Sequence, residues 1–242
     1  LIMENIALIR EKYPFFDKKI SFNAVIDLKQ NVSCTNEFFL NYDTVKGLNV
    51  NGTFINPVNR KEILDFDPEL NAISNYEVFK VFLYACDSDL FSKPTLYESE
   101  IASIKQAMCE RYIGVEGYED IISPGGQCLP GIQRFFVTAD GKFFPCERVD
   151  ETSEELCIGD LQQGINIDNA IKILNVADVT SRQCIECWCY KMCYQCISKA
   201  QEDGRINAEA RLKWCQQTRA GVEGTIKDYI ILKKYGCKFE EA

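Results

Sequence analysis

Five cysteines fall within the thirteen residues 184–196: Cys184, Cys187, Cys189, Cys193 and Cys196. Cys128 and Cys146 precede them, and Cys215 follows. Single structural cysteines behave as small buried hydrophobes, and packing gives no reason to crowd them. Thiols two residues apart instead point both sulfurs to one side of a turn, which is how a chain surrounds a soft metal centre. A disulfide scaffold is the competing reading, but such scaffolds belong mostly to short, loop-rich secreted chains. This chain has 242 residues, with long periodic segments that supply a core without cross-links.

The absence of histidine narrows the chemistry further. It removes Cys₂His₂ fingers, Ser-His and Cys-His nucleophile pairs, and imidazole bases. A net charge of −9 argues against the sequence-independent phosphate binding of basic proteins, so no nucleic-acid partner is expected. No run of about 18 apolar residues suggests a membrane span. No secretory signal precedes the first helix pattern, and a reducing, cytoplasmic compartment is expected. The triplets at Asn31 and Asn51 match the glycosylation acceptor, a pattern common by chance. Residues 114–131 are not a phosphate loop, because no Gly-Lys-Ser/Thr follows. No pair of carboxylates stands out as acid and base.

Along the chain, residues 1–12 read as an uncapped helix with Ile2, Ile6 and Ile9 on one stripe, like a chain already under way. Pro14 ends it, and residues 19–28 form a nearly continuous apolar run suited to a strand covered on both faces. A short helix at 36–42 and a second strand at 44–50 complete a parallel α/β pattern. Two strands are too few for a parallel sheet, so partner strands are expected from outside this stretch. Helices are expected at 76–86 and 96–112, then a loop over 114–131 carrying Cys128. Residues 134–146 predict a β-hairpin, with Asp140-Gly141 as a type I′ turn. A solvated acidic loop (147–155), a short strand at 157–161 that includes Cys157, and a helix at 167–176 lead into the cysteine stretch. A long helical segment over 208–235 follows, with a break expected near Gly221 and Gly224.

In order, the pattern is Cys128-x12-Gly141-x4-Cys146, then Cys184-x2-Cys187-x5-Cys193-x2-Cys196, then Cys215. Seven such thiols suit two centres rather than one. Spacing does not name the metal, since sulfur-only tetrahedral sites serve zinc and iron–sulfur clusters alike.

This pattern resembles the SPASM domain, the auxiliary-cluster module at the C-terminal end of radical SAM enzymes. Members share C-x9–15-G-x4-C, then C-x2-C-x5-C-x3-C, then a last Cys, and they bind one or two 4Fe-4S clusters. The departure here is x2 between Cys193 and Cys196. The form with Trp188 after Cys187 is similar to maturases that cross-link Cys-rich ribosomal peptides through thioethers. The strand around residues 22–28 resembles a late strand of the radical SAM partial barrel. Position by position, the resemblance puts Cys184, Cys187, Cys193 and Cys215 on an outer cluster and Cys128, Cys146 and Cys196 on an inner one. Fully ligated relatives carry another Cys where Ile122 stands. The inner cluster's fourth ligand is then Cys109, Cys189 or an open iron. Cys34, Cys86 and Cys237 are expected to be ordinary thiols, and Trp188 and Trp214 to pack around a cluster.

Cys189, Cys193 and Cys196 also satisfy C-x3-C-x2-C, the motif that holds the SAM-cleaving cluster. It lies too near the end of the sequence for a barrel to follow, and Gln195 replaces the usual aromatic, so the match is read as coincidence.

The expectation is therefore an α+β chain. A remnant of a parallel α/β partial barrel at 1–55 and a helical bridge at 56–125 lead to a mainly helical SPASM domain with one β-hairpin at 126–242. The resemblance implies two 4Fe-4S clusters, and S-adenosylmethionine only in the full-length enzyme. It implies a peptide or protein substrate and a missing N-terminal radical SAM half, without which this stretch is inactive. The alternative is a zinc-binding Cys₄ protein-interaction module.

Overall fold

The computed structural model describes residues 1–27, 32–55, 68–91, 96–97, 99–110 and 128–239. The end of the expected first strand at Leu28, the end of the helix at Tyr112 and residues 114–127 of the expected loop lie outside these. The chain forms two compact units, Leu1–Arg111 with Lys227–Ala242, and Tyr112–Ile226.

The first unit opens with α1 (Ile2–Lys12), which buries Ile6 and has no side-chain cap at its start. A 3₁₀ turn at Pro14–Lys19 leads to β1 (Ser21–Ile26). Next come α2 (Val32–Asn41) and β2 (Asn49–Phe54), which pairs with β1 in parallel from Ser21↔Asn49 to Ile26↔Phe54. The expected parallel unit is thus formed, but its second strand begins five residues later than the apolar run at 44–50 suggests. Residues 43–47 turn instead, with Gly47 at φ +82°. Three of their carbonyls (Asp43, Thr44 and Lys46) accept from the Arg10 guanidinium, Thr44 at 2.9 Å. β1 is not covered on both faces: only Ile26 is buried and Val25 is exposed. The apolar sequence reflects strand propensity more than depth.

Helices α3 (Pro68–Cys86) and α4 (Ser99–Lys105) follow, α4 running into a π turn at Gln106–Glu110. Glu77 of α3 is buried, with Asn36 Nδ2 donating to it at 2.9 Å and Lys80 pairing at 2.6 Å. Val81, Ile101, Ile104, Leu232, Cys237 and Phe239 form one of the unit's cores. Cys237 is thus a small hydrophobe in a core, while Cys34 is exposed.

In the second unit β3 (Phe136–Val137) and β4 (Lys142–Phe144) form the expected hairpin, Phe136 facing Phe144. The turn is not type I′. That turn needs two positive φ angles, and only Gly141 has one, at +83°. Thr138 N–H and Lys142 C=O close a three-residue loop with Gly141 in the left-handed position. The sheet also continues past the single hairpin expected. β5 (Gly159–Asp160) and β6 (Gly164–Ile165) extend it to four antiparallel strands. The acidic stretch before β5 is pinned: Asp150 accepts the Thr152 N–H at 2.9 Å, and Ser153 Oγ donates to the Gly204 carbonyl. Cys157 is a neighbour of β5 rather than part of it, and its thiol donates to the Gly159 carbonyl at 3.2 Å.

Asn166 caps α5 (Ile167–Leu174), accepting the Asn169 N–H. A 3₁₀ turn at Val176–Thr180 and α6 (Ser181–Ile185) enter the cysteine stretch. Beyond it lie a small hairpin, β7 (Gln201–Glu202) with β8 (Arg205–Ile206), and α7 (Ala208–Lys213). The last helix, α8 (Cys215–Lys234), falls across the division between the units. The break in the C-terminal helical segment is at Trp214, not at Gly221 or Gly224, which α8 absorbs. A glycine in a helix costs only about 1 kcal/mol, so two of them do not end one. Phe143, Phe144, Leu156, Ile158, Ile173 and Ile197 fill the unit's core. No helix among the described residues is long and apolar enough to cross a membrane.

Gly159 sits at φ +135°, and a Cβ there would strike the Gly164 carbonyl oxygen. Gly159→Ala should therefore cost roughly 2–4 kcal/mol in urea unfolding. Gly224→Ala, with open space around it, should gain up to about 1 kcal/mol. Equal effects would contradict the β5–β6 geometry.

Candidate metal centre

The local backbone explains how the thiols gather. In the Cys184-x2-Cys187 segment the Cys187 N–H donates to the Cys184 carbonyl at 3.0 Å, closing one turn. The Tyr190 N–H then donates to the Cys187 carbonyl at 3.0 Å, and Met192 N–H to the Cys189 carbonyl at 2.9 Å. Successive tight turns wind residues 184–192 into a compact coil, which Cys193 leaves in extended conformation (φ −63°, ψ 126°). Asn207 caps α7 by accepting the Ala210 N–H at 3.0 Å. α7 ends at Trp214 and α8 begins at once, so Cys215 stands one turn beyond Arg211.

These elements border a half-open cavity of about 270 Å³. Cys184, Cys187, Cys189, Cys193 and Cys215 all line it, as do Arg211 and Gln195. All five carry free thiols rather than cystines. The Cys187 and Cys189 sulfurs are 3.5 Å apart. Among the described residues, no three side chains of the ligating types converge tightly enough to hold a single metal ion.

Arg211 is the buried cation of the cavity wall. It is 2 % exposed, with no carboxylate partner among the described residues and one terminal guanidinium nitrogen without a hydrogen bond. Its Nε donates to Thr180 Oγ1 at 3.0 Å. That leaves the Thr180 proton for Cys184 Sγ at 3.2 Å or the Ala177 carbonyl at 3.4 Å. Gln195, 4 % exposed, donates through Nε2 to Thr218 Oγ1 at 3.0 Å and to Cys215 Sγ at 3.7 Å, while its Oε1 has no partner. Donors thus reach sulfur at Cys184, Cys215 and, from Arg219, Cys187, and two guanidiniums, Arg211 and Arg219, line the wall.

Burial pushes the Cys193 thiol up, against the pull of the Arg211 charge. Burial and the neighbouring Cys187 push Cys189 up to about 12. At Cys187 burial also opposes ionisation, but the Cys189 backbone N–H and thiol and the Arg219 guanidinium together bring the thiol below its ordinary value.

Of the seven thiols predicted as ligands, the structure gathers Cys184, Cys187, Cys193 and Cys215 around one cavity. Burial raises Cys146 in the hydrophobic core, and the neighbouring Cys196 raises it further. Cys196 Sγ lies 3.2 Å from Ser198 Oγ. Cys128, half-buried, stands just ahead of the bridge between Pro130 and Arg134 and is not among the residues that line the cavity. Trp188 is not packed around the cavity, being 60 % exposed, and Trp214 lies under the Lys199 ammonium at 3.4 Å. Sequence reasoning missed Arg211, Gln195 and Thr180. Only the one-turn offset of Arg211 from Cys215 hints at any of them. Comparison with protein-family models, with curated proteins and with solved structures found no match.

In the metal-free chain, iodoacetamide should label Cys187 ahead of Cys189 and Cys193, its lead fading as pH rises and the others ionise. Equal rates at neutral pH, read by peptide mass mapping, would contradict the thiol electrostatics. Arg211→Met removes an uncompensated buried charge, so the metal-free protein should be unchanged in stability or gain about 1 kcal/mol in urea unfolding. A loss above ~2 kcal/mol would show that Arg211 is already compensated.

Proposed function

We propose that this chain is the auxiliary iron–sulfur region of a radical SAM enzyme that modifies a peptide or protein, for example by thioether cross-linking. The observation that carries the reading is the cavity. The four cysteines that the SPASM resemblance assigns to the outer cluster, from two separate stretches of sequence, are four of its walls. The donor set fits the group, because the uncompensated Arg211 requires a negative charge beside it. Four thiolates around a cluster supply one.

Cys184, Cys187, Cys193 and Cys215 would hold the outer 4Fe-4S cluster, and Cys128, Cys146 and Cys196 the inner one. When bound, such clusters accept or relay an electron. The chain's own part is to set access and polarity. Thr180 and Gln195 donate toward ligand sulfurs, Arg211 balances charge, and the buried core next to Cys146 keeps water out. S-adenosylmethionine cleavage would need an N-terminal radical SAM half, without which the present stretch would be inactive, while its own clusters would position the substrate or relay the electron. The cytoplasm suits clusters that must stay reduced.

One observation favours a second reading, a zinc-binding interaction module. The 3.5 Å between Cys187 and Cys189 sulfurs is close to the ~3.8 Å between two thiolates on one tetrahedral zinc. Anaerobic loading with iron and sulfide discriminates. The first reading expects a brown protein with ~8 irons and ~8 acid-labile sulfides per chain, from two four-iron clusters. About two zincs and no sulfide retention would replace it with the second.

A further inference from the structure

Five thiols line a cavity whose proposed occupant takes four. We infer that Cys189, outside the set carried over from the family pattern, is a working member of this centre and shares one ligand position with Cys187. The inference rests on the iron–sulfur reading above.

The geometry singles out this pair. Their sulfurs are 3.5 Å apart, too close for ligands of two different irons, each of which takes a single protein thiolate. Cys189 is 3 % exposed and faces the same space as Cys184, Cys193 and Cys215, so it is as well placed as Cys187. The residue between them, Trp188, is 60 % exposed. Turning the 187–189 segment to present either sulfur therefore sweeps Trp188 through solvent rather than through a packed core. Two buried polar atoms without partners, one terminal guanidinium nitrogen of Arg211 and the Gln195 Oε1, belong to residues that line the same wall. The guanidinium suits a bound thiolate, and the amide oxygen accepts from whichever thiol remains protonated. The exchange is neutral in protons and electrons. The arriving thiol gives up its proton as its metal–sulfur bond forms, and the departing sulfur takes one up as its bond breaks.

The test loads four full chains anaerobically with ferrous iron and sulfide: wild type, Cys187→Ala, Cys189→Ala and the double variant. Iron and sulfide are counted, and the reduced clusters are followed by electron paramagnetic resonance. Each single variant should keep the wild-type count with a shifted signal, and the double variant should lose about half of both elements. A single variant that loses half by itself overturns the sharing and makes that residue the sole ligand. A wild-type chain that takes up no iron overturns the underlying reading, and the exchange with it. Far-UV circular dichroism of the metal-free chains monitors folding. Where an alanine variant loses helix, the corresponding valine variant, nearer in volume, decides between the same outcomes.

Discussion

The second unit depends on one electrostatic constraint: a guanidinium buried to 2 % beside a wall of thiols, with no carboxylate among the described residues to neutralise it. An unpaired buried charge costs several kcal/mol. A chain keeps such a residue where something anionic completes the site. Thiolates around a metal centre would be that anion, and they are otherwise the least stable form of buried cysteines such as Cys189 and Cys193. Arginine and thiols thus each account for the other's burial.

The fold serves this arrangement with very little regular structure. Turns rather than long helices hold Cys184 to Cys193, because a turn closing every three residues keeps successive sulfurs on one side. The interruption at Trp214 lets α7 contribute Arg211 and α8 contribute Cys215 from adjacent turns. Thr180 links the two halves, touching Arg211 on one side and Cys184 on the other.

Much of this was legible in the sequence, and the misses have physical reasons. Turn chemistry and periodicity are local, so the hairpin, α1, α5 and the parallel β1–β2 pairing could be read directly. The hairpin's turn type could not: Asp140 has negative φ because the Thr138–Lys142 pairing fixes a longer loop. A helix break at Gly221 and Gly224 does not occur, since a propensity cost of about 1 kcal/mol per glycine does not end a helix. The four cysteines proposed as outer ligands were visible in the sequence as closely spaced thiols grouped by the SPASM resemblance, whereas Arg211, Gln195 and Thr180 gather only through tertiary contacts 20 to 31 residues long. Cys189 was visible as a thiol but not as a wall of this cavity.

The most direct measurement is an anomalous difference map from anaerobically grown crystals of the iron-loaded chain, collected on either side of the iron edge. A multi-iron peak enclosed by Cys184, Cys193, Cys215 and one of Cys187 and Cys189, beside Arg211, is the predicted result. An empty cavity with iron elsewhere, or a lone zinc signal in it, would contradict the account.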